Sequence, residues 1–193
     1  MLPTQPTVIV LCAGRSQRFK ALGGRGNKLD AEIAGVSVKH HAIRAAQISG
    51  LPVCIVEPKA VEHILNAGMS DSIASGVSES KFSNGWLILP ADLPLVQSST
   101  IELMAFELAR HQELMNSDKV TVAPVFKGQR GHPVGFSRGF LSRLTQLSGD
   151  EGARQILSEY PPALIEVQDP GCVLDVDTPE LLEKVRQLWT NRM

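Results

Sequence analysis

Short runs of apolar, β-favouring residues alternate along this chain with stretches of helical periodicity, and that alternation limits the fold more than any other feature. Residues 7–13 (TVIVLCA), 51–56 (LPVCIV), 85–90 (GWLILP), 119–125 (KVTVAPV), 133–136 (PVGF), 163–167 (ALIEV) and 172–176 (CVLDV) read as strands. The first three are apolar throughout, the pattern expected of strands covered on both faces. Between them, residues 98–115 place Ile101, Met104, Leu108 and Met115 along one helical face, with the SST run before them as a supply of N-caps. Residues 178–190 place Leu181, Leu182, Val185, Leu188 and Trp189 at helical spacing after a Thr178-Pro179 start signal. Segments near 38–49, 59–67, 138–147 and 150–159 are further helix candidates. Strand–helix alternation of this kind predicts an open, mostly parallel sheet between two helical layers, a three-layer α/β architecture.

The chain of 193 residues carries no repeat, linker or low-complexity tract, so residues 1–193 are read as a single domain. Nineteen basic residues against twenty acidic ones give a formal net charge of -1. That balance argues against a broad nucleic-acid or membrane surface and leaves room only for a local basic pocket. Cys12, Cys54 and Cys172 are scattered, odd in number and without CxxC spacing, which points away from a disulfide framework or a zinc site. The N-terminus lacks a basic region followed by a long apolar one, and no apolar run reaches about 18 residues. The expected setting is cytoplasmic and reducing.

In open α/β sheets ligands bind beyond the carboxyl ends of the strands, and the unusual residues of this chain cluster there. LCAGRSQRF (11–19) follows the first strand. Gly14 frees the backbone to turn, successive N–H groups can form an anion-cradling nest, and Arg15 and Arg18 add forked donors suited to phosphate oxygens. A plain helix start with solvated arginines is the competing reading. The stretch does not match GxGxxG, and GGRGNK (23–28) does not match a Walker A loop, because Asn27 rather than Gly precedes Lys28. The glycine-dense loop reads as mobile, with Lys28 able to close on a phosphate, and a plain flexible surface loop is an equal reading of the same residues. PADLPLV (90–96) places Asp92 just past a buried strand, where a Mg²⁺ ligand belongs, although a turn-capping role uses the same residue type. LDVDTPELL repeats that form with Asp175 and Asp177, which strand alternation would turn to one side. GQRGHPVGF (128–136) offers Arg130 and His132 for an anionic substrate or a turn, and GMSDSIASGV (68–77) offers close backbone approach or a short packed helix.

Taken in order, these stretches resemble the nucleotidyltransferase family that completes the molybdenum cofactor. The resemblance rests on residues 11–28, 68–77, 90–96, 128–154 (including GDEGAR, 149–154) and 175–182, and RGHPV with GDEGAR is closest to the molybdenum cofactor cytidylyltransferase branch. It implies a three-layer α/β/α, Rossmann-like nucleotidyltransferase fold with a mostly parallel mixed sheet. It also implies Mg²⁺-dependent attack of a molybdopterin-type phosphate on the α-phosphate of CTP, releasing pyrophosphate. Carried onto this sequence, Ala13, Gly14, Arg15 and Ser16, with Arg18 and Lys28, would hold the nucleotide, and Asp92 with Asp177 and Asp175 the metal. Ser72 and Gly76 would line the base pocket, and Arg130 and His132 would face the acceptor. Ala13 directly before Gly14 favours cytosine over guanine within that family. A molybdenum hydroxylase is the implied protein partner. Guanylyl or sugar-phosphate nucleotidyl transfer and a non-catalytic maturation factor for a molybdenum enzyme are the alternatives. A dehydrogenase fits poorly, since no GxGxxG with a ribose-binding acid follows the first strand.

Overall fold

Val8 and Val10 pack into one apolar core while Ile9 and Leu11 pack into another, so the first strand is covered by helices on both sides. The computed structural model describes residues 5–14, 16–65 and 67–191. In chain order these form β1 (Thr7–Leu11), α1 (Gln17–Ala21), β2 (Glu32–Ile33), β3 (Val36–Ser37), α2 (Val38–Ile48), β4 (Val53–Val56), α3 (Met69–Glu79) and β5 (Gly85–Pro90). They continue with α4 (Ser98–Met115), β6 (Thr121–Phe126), β7 (Gln129–Arg130), β8 (Val134–Ser137), α5 (Leu141–Thr145), α6 (Arg154–Glu159), β9 (Ala163–Glu166) and α7 (Pro179–Thr190).

The main sheet has the order β4-β1-β5-β8-β6-β7, with β9 on β6. Strands β4, β1, β5, β6 and β9 run in one direction and β8 and β7 oppose them, which makes the sheet mixed and mostly parallel, as expected. One layer buries Ile43 and Ala46 of α2, Ile101, Met104 and Leu108 of α4, and Leu182 and Val185 of α7. The other buries Ile73 and Val77 of α3, Leu144 of α5 and Ile156 of α6. From β1 the chain passes to β4 on one side, then returns across β1 to β5 and continues to the other side. The crevice where strand order reverses therefore opens between the carboxyl ends of β1 and β5.

Several local expectations change. Residues 172–176 form no strand: a tight turn at Pro170–Cys172 gives way to irregular backbone. Its bonds are single ones to two neighbours, His132 N–H to the Cys172 carbonyl (2.8 Å) and Val176 N–H to the Asp92 carbonyl (2.9 Å), so it straps across the sheet end without a ladder. Strand β4 lies at the edge with an exposed Ile55, which explains why its apolar run is not fully covered. Among the described residues of 59–67 the helical part is a short turn at Pro58–Val61, where Ala60 and Val61 pack inward while Leu65 is 92% exposed. On α4, Met115 has left the buried stripe and is solvent-facing. Ser98 and Ser99 lie inside the helix and do not cap it, and Gln97 at the N-cap makes no side-chain cap; Asp169 holds this end from far along the chain, accepting from Gln97 N–H (2.9 Å) and the Thr100 hydroxyl (2.8 Å). Thr178 caps α7 as expected, its hydroxyl accepting from Leu181 N–H at 3.1 Å. No described helix is long and apolar enough to cross a membrane.

Candidate active site

The crevice between β1 and β5 opens into a cavity of about 670 Å³, lined by Gly14, Ser16, Lys28, Asp92, Asp175 and Asp177 among others. Its floor is built by the turn after β1. Ser16 adopts left-handed backbone (φ 56°), and its hydroxyl donates to Asn27 Oδ1 at 2.6 Å while accepting from the Lys28 N–H at 3.0 Å. Asn27 Oδ1 also accepts from Leu29 N–H at 3.0 Å, so one side chain fixes the loop's return. In the glycine loop ahead of it Gly23 and Gly26 stand in open space, and only Gly24 is packed. A Cβ on Gly24 would stand 2.2 Å from the Phe19 ring, and Phe19 is itself buried.

Acidic residues from two remote segments complete the site. Asp92 follows β5, Asp175 and Asp177 come from the strap before α7, and one oxygen of each lies within 4.8 Å of the others. Lys28 Nζ sits among them, 2.6 Å from Asp92 Oδ2 and 2.5 Å from Asp177 Oδ1, and Arg18 Nη1 donates to Asp177 Oδ2 at 2.8 Å. Burial alone would lower the Lys28 pKa, but the carboxylates of Asp92 and Asp177 outweigh it and raise it. Asp175 is raised by burial first and then by the charges of Asp177 and Asp92. A cluster of hard carboxylate oxygens with an ammonium group already at its centre fits a divalent cation of the Mg²⁺ or Mn²⁺ kind. The three aspartates converge as the sequence expected, although irregular backbone, not strand alternation, brings them there.

Arg130 and His132 also line the cavity, the His132 backbone N–H donating to the Cys172 carbonyl of the strap at 2.8 Å. His132 Nδ1–H donates to the Ile88 carbonyl at 3.4 Å, and burial holds the ring's pKa below the ordinary histidine range. Ser72 also reaches the cavity, with its hydroxyl spent on the Gly68 carbonyl at 3.1 Å. Gly76 does not line it, which corrects the base-pocket expectation for that residue. It is buried where α3 crosses the sheet, and a Cβ there would meet Ile9 at 2.6 Å and Val56 at 2.8 Å. The Lys28 ammonium contacts the carboxylates of Asp92 and Asp177, while its N–H stays on the turn. Arg15 lies outside the described residues. Ala13 and Gly14 line the cavity.

The residue pattern did not single out Asn27, Asp71, Asp150 or Arg154. Asn27 carried a signal, an amide side chain ahead of a tight turn. Asp71 accepts from Gly68 N–H (2.8 Å) and Gly149 N–H (3.1 Å), and Ser70 N–H donates to the Gly149 carbonyl (2.9 Å). The GMSDS and GDEGAR stretches are thus docked on each other, which places Asp150 and Arg154 at the cavity. All three cysteines are free and buried, and burial pushes the Cys12 thiol up to about 12.

Comparison with known proteins bears on this geometry. The family described as the MobA-like NTP transferase domain matches residues 8–164. The purine catabolism protein PucB of Bacillus subtilis (strain 168) is 34% identical over 125 residues, which is 62% of this chain and 57% of that relative. Two solved structures share the fold at low identity. Mth528, a Methanothermobacter nucleotidyl transferase, has a TM-score of 0.78 at 17% identity, covering 98% of this chain and 100% of that one. Rv0371c of Mycobacterium tuberculosis, solved in complex with manganese, has a TM-score of 0.67 at 20% identity, covering 95% and 99%.

Proposed function

The chain belongs to the MobA-like NTP transferase family, and on that premise we propose that it transfers CMP from CTP to the phosphate of a molybdopterin-type acceptor, releasing pyrophosphate. The observation that carries this reading is the meeting of Asp92, Asp175 and Asp177 with Lys28 and Arg18 beside the glycine turn, inside one cavity. In-line transfer at an α-phosphate asks little covalent chemistry of a protein; it asks for positioning and for cationic neutralisation of the charge that spreads over the phosphate oxygens. Gly14, Arg15 and Ser16, with Arg18 and Lys28, hold the triphosphate. Asp92, Asp177 and Asp175 would hold Mg²⁺, which when bound neutralises charge on the phosphates. Arg130 and His132, which line the same cavity, would contact the acceptor, and the acceptor phosphate arrives ionised, so no side chain must remove a proton from it. Ser72, which lines the cavity, would contact the base, and Ala13 ahead of Gly14 supports cytosine.

A molybdenum hydroxylase is the proposed recipient of the finished cofactor, and a cytoplasmic setting suits three free thiols. Thermal unfolding with CTP, GTP, ATP and UTP in the presence of Mg²⁺ tests the base assignment. A ligand at 100 times its Kd stabilises by about 2.7 kcal/mol, so CTP should raise the midpoint visibly and the others far less. A shift with GTP or UTP and none with CTP would overturn the cytosine assignment.

A further inference from the structure

The acidic cluster already contains a cation of the protein's own. Lys28 Nζ makes two short contacts, 2.6 Å to Asp92 and 2.5 Å to Asp177, and its side chain is only 11% exposed. Arg18 takes the second oxygen of Asp177. Three carboxylates so close would repel one another, and these two cations offset most of that charge. A divalent ion approaching the same oxygens must therefore displace an ammonium group held by charge-assisted hydrogen bonds.

The loop geometry leaves that ammonium free to move without its backbone. The Lys28 N–H is fixed on Ser16 Oγ at 3.0 Å, and Asn27 holds Ser16 in place at 2.6 Å. The lysine thus starts at the glycine turn itself, and its flexible four-carbon stem can aim the charge either at the carboxylates or back at an anion on the turn. We infer that Lys28 is the resident counter-ion of the aspartate trio, and that a polyphosphate on the glycine turn draws it off and opens the carboxylates to a divalent cation. Metal and triphosphate binding are then coupled through one side chain, and the coupling is reciprocal. This rests on the reading above that the trio holds the metal.

Manganese titration without nucleotide, followed by the electron paramagnetic resonance of free Mn²⁺, tests it. Lys28→Met should bind Mn²⁺ about tenfold more tightly than the native chain, in the range typical of site coupling, and Asp92→Asn should abolish binding in both backgrounds. Equal or weaker binding by Lys28→Met overturns the inference and leaves the metal assignment standing; no Mn²⁺ binding by either chain overturns both. The native protein offers a second readout that needs no variant to fold. Labelling of Lys28 by acetic anhydride, quantified by peptide mass spectrometry, should rise when Mn²⁺ alone is added. Unchanged labelling at Mn²⁺ concentrations that saturate binding contradicts displacement.

Discussion

Lys28 Nζ lies 2.6 Å from Asp92 Oδ2, tying the loop after β1 to the loop after β5 across the crevice between those strands. The pair is mostly enclosed, so its Coulomb energy is set against the cost of removing both charges from water, and it is better read as a device of position than of stability. Its consequence is functional. Asp92→Asn keeps an oxygen that Lys28 can hydrogen-bond but removes the charge. It should lower the rate of pyrophosphate release by about 100-fold or more, the scale seen when one transition-state electrostatic contact is lost. Far-UV circular dichroism should show the fold intact, and an unchanged rate would remove Asp92 from the site.

Gly76→Ala should destabilise the fold by about 1–3 kcal/mol, because the added methyl presses on Ile9 and Val56 in a filled helix–sheet contact. Urea denaturation measures this. Nucleotide affinity at low temperature should stay at the native value, since Gly76 is packing and not lining. A large loss of affinity with unchanged stability would restore it to the base pocket.

Asp169→Ala should cost about 3 kcal/mol. The buried carboxylate accepts from Gln97 N–H, the Thr100 hydroxyl and Gly171 N–H, and each donor left unpaired costs about 1–3 kcal/mol. The loss should appear as a lower denaturation midpoint with an unchanged slope. A native midpoint would mean that the start of α4 needs no distant cap.

His132 gives the stability a pH dependence. Its folded pKa is depressed by burial, so below the unfolded value of about 6.5 the unfolded chain binds a proton that the folded chain refuses. Stability should be intact above that pH and fall as the pH drops toward the folded pKa. His132→Gln, measured by denaturant unfolding between pH 7 and pH 5, should flatten this part of the profile. A variant profile as steep as the native one would assign the effect to other groups.

The layered fold was legible because apolar runs such as TVIVL and GWLILP admit little besides buried strands, and those two strands lie side by side inside the sheet. The helix over 98–115 was legible to its ends, yet its cap was not, because Asp169 is distant in sequence and no local rule reaches it. Asp92, Asp175 and Asp177 could be picked out as carboxylates after apolar runs. Their meeting could not be derived by strand alternation, since residues 172–176 are a strap held by Asp92 and His132 and not a strand. The position of Lys28 was the least legible part of the site. A lysine after a glycine loop suggests phosphate, and only the fold reveals two aspartates within reach of its ammonium group.

The most direct test of the central claim is an assay of pyrophosphate release by the purified protein with molybdopterin, Mg²⁺ and each nucleoside triphosphate, with the pterin product identified by mass spectrometry. Pyrophosphate and a pterin–CMP product are expected in equal amounts with CTP, dependent on both acceptor and metal. A pterin product formed faster with GTP, or no product with CTP when acceptor and metal are both present, would contradict it.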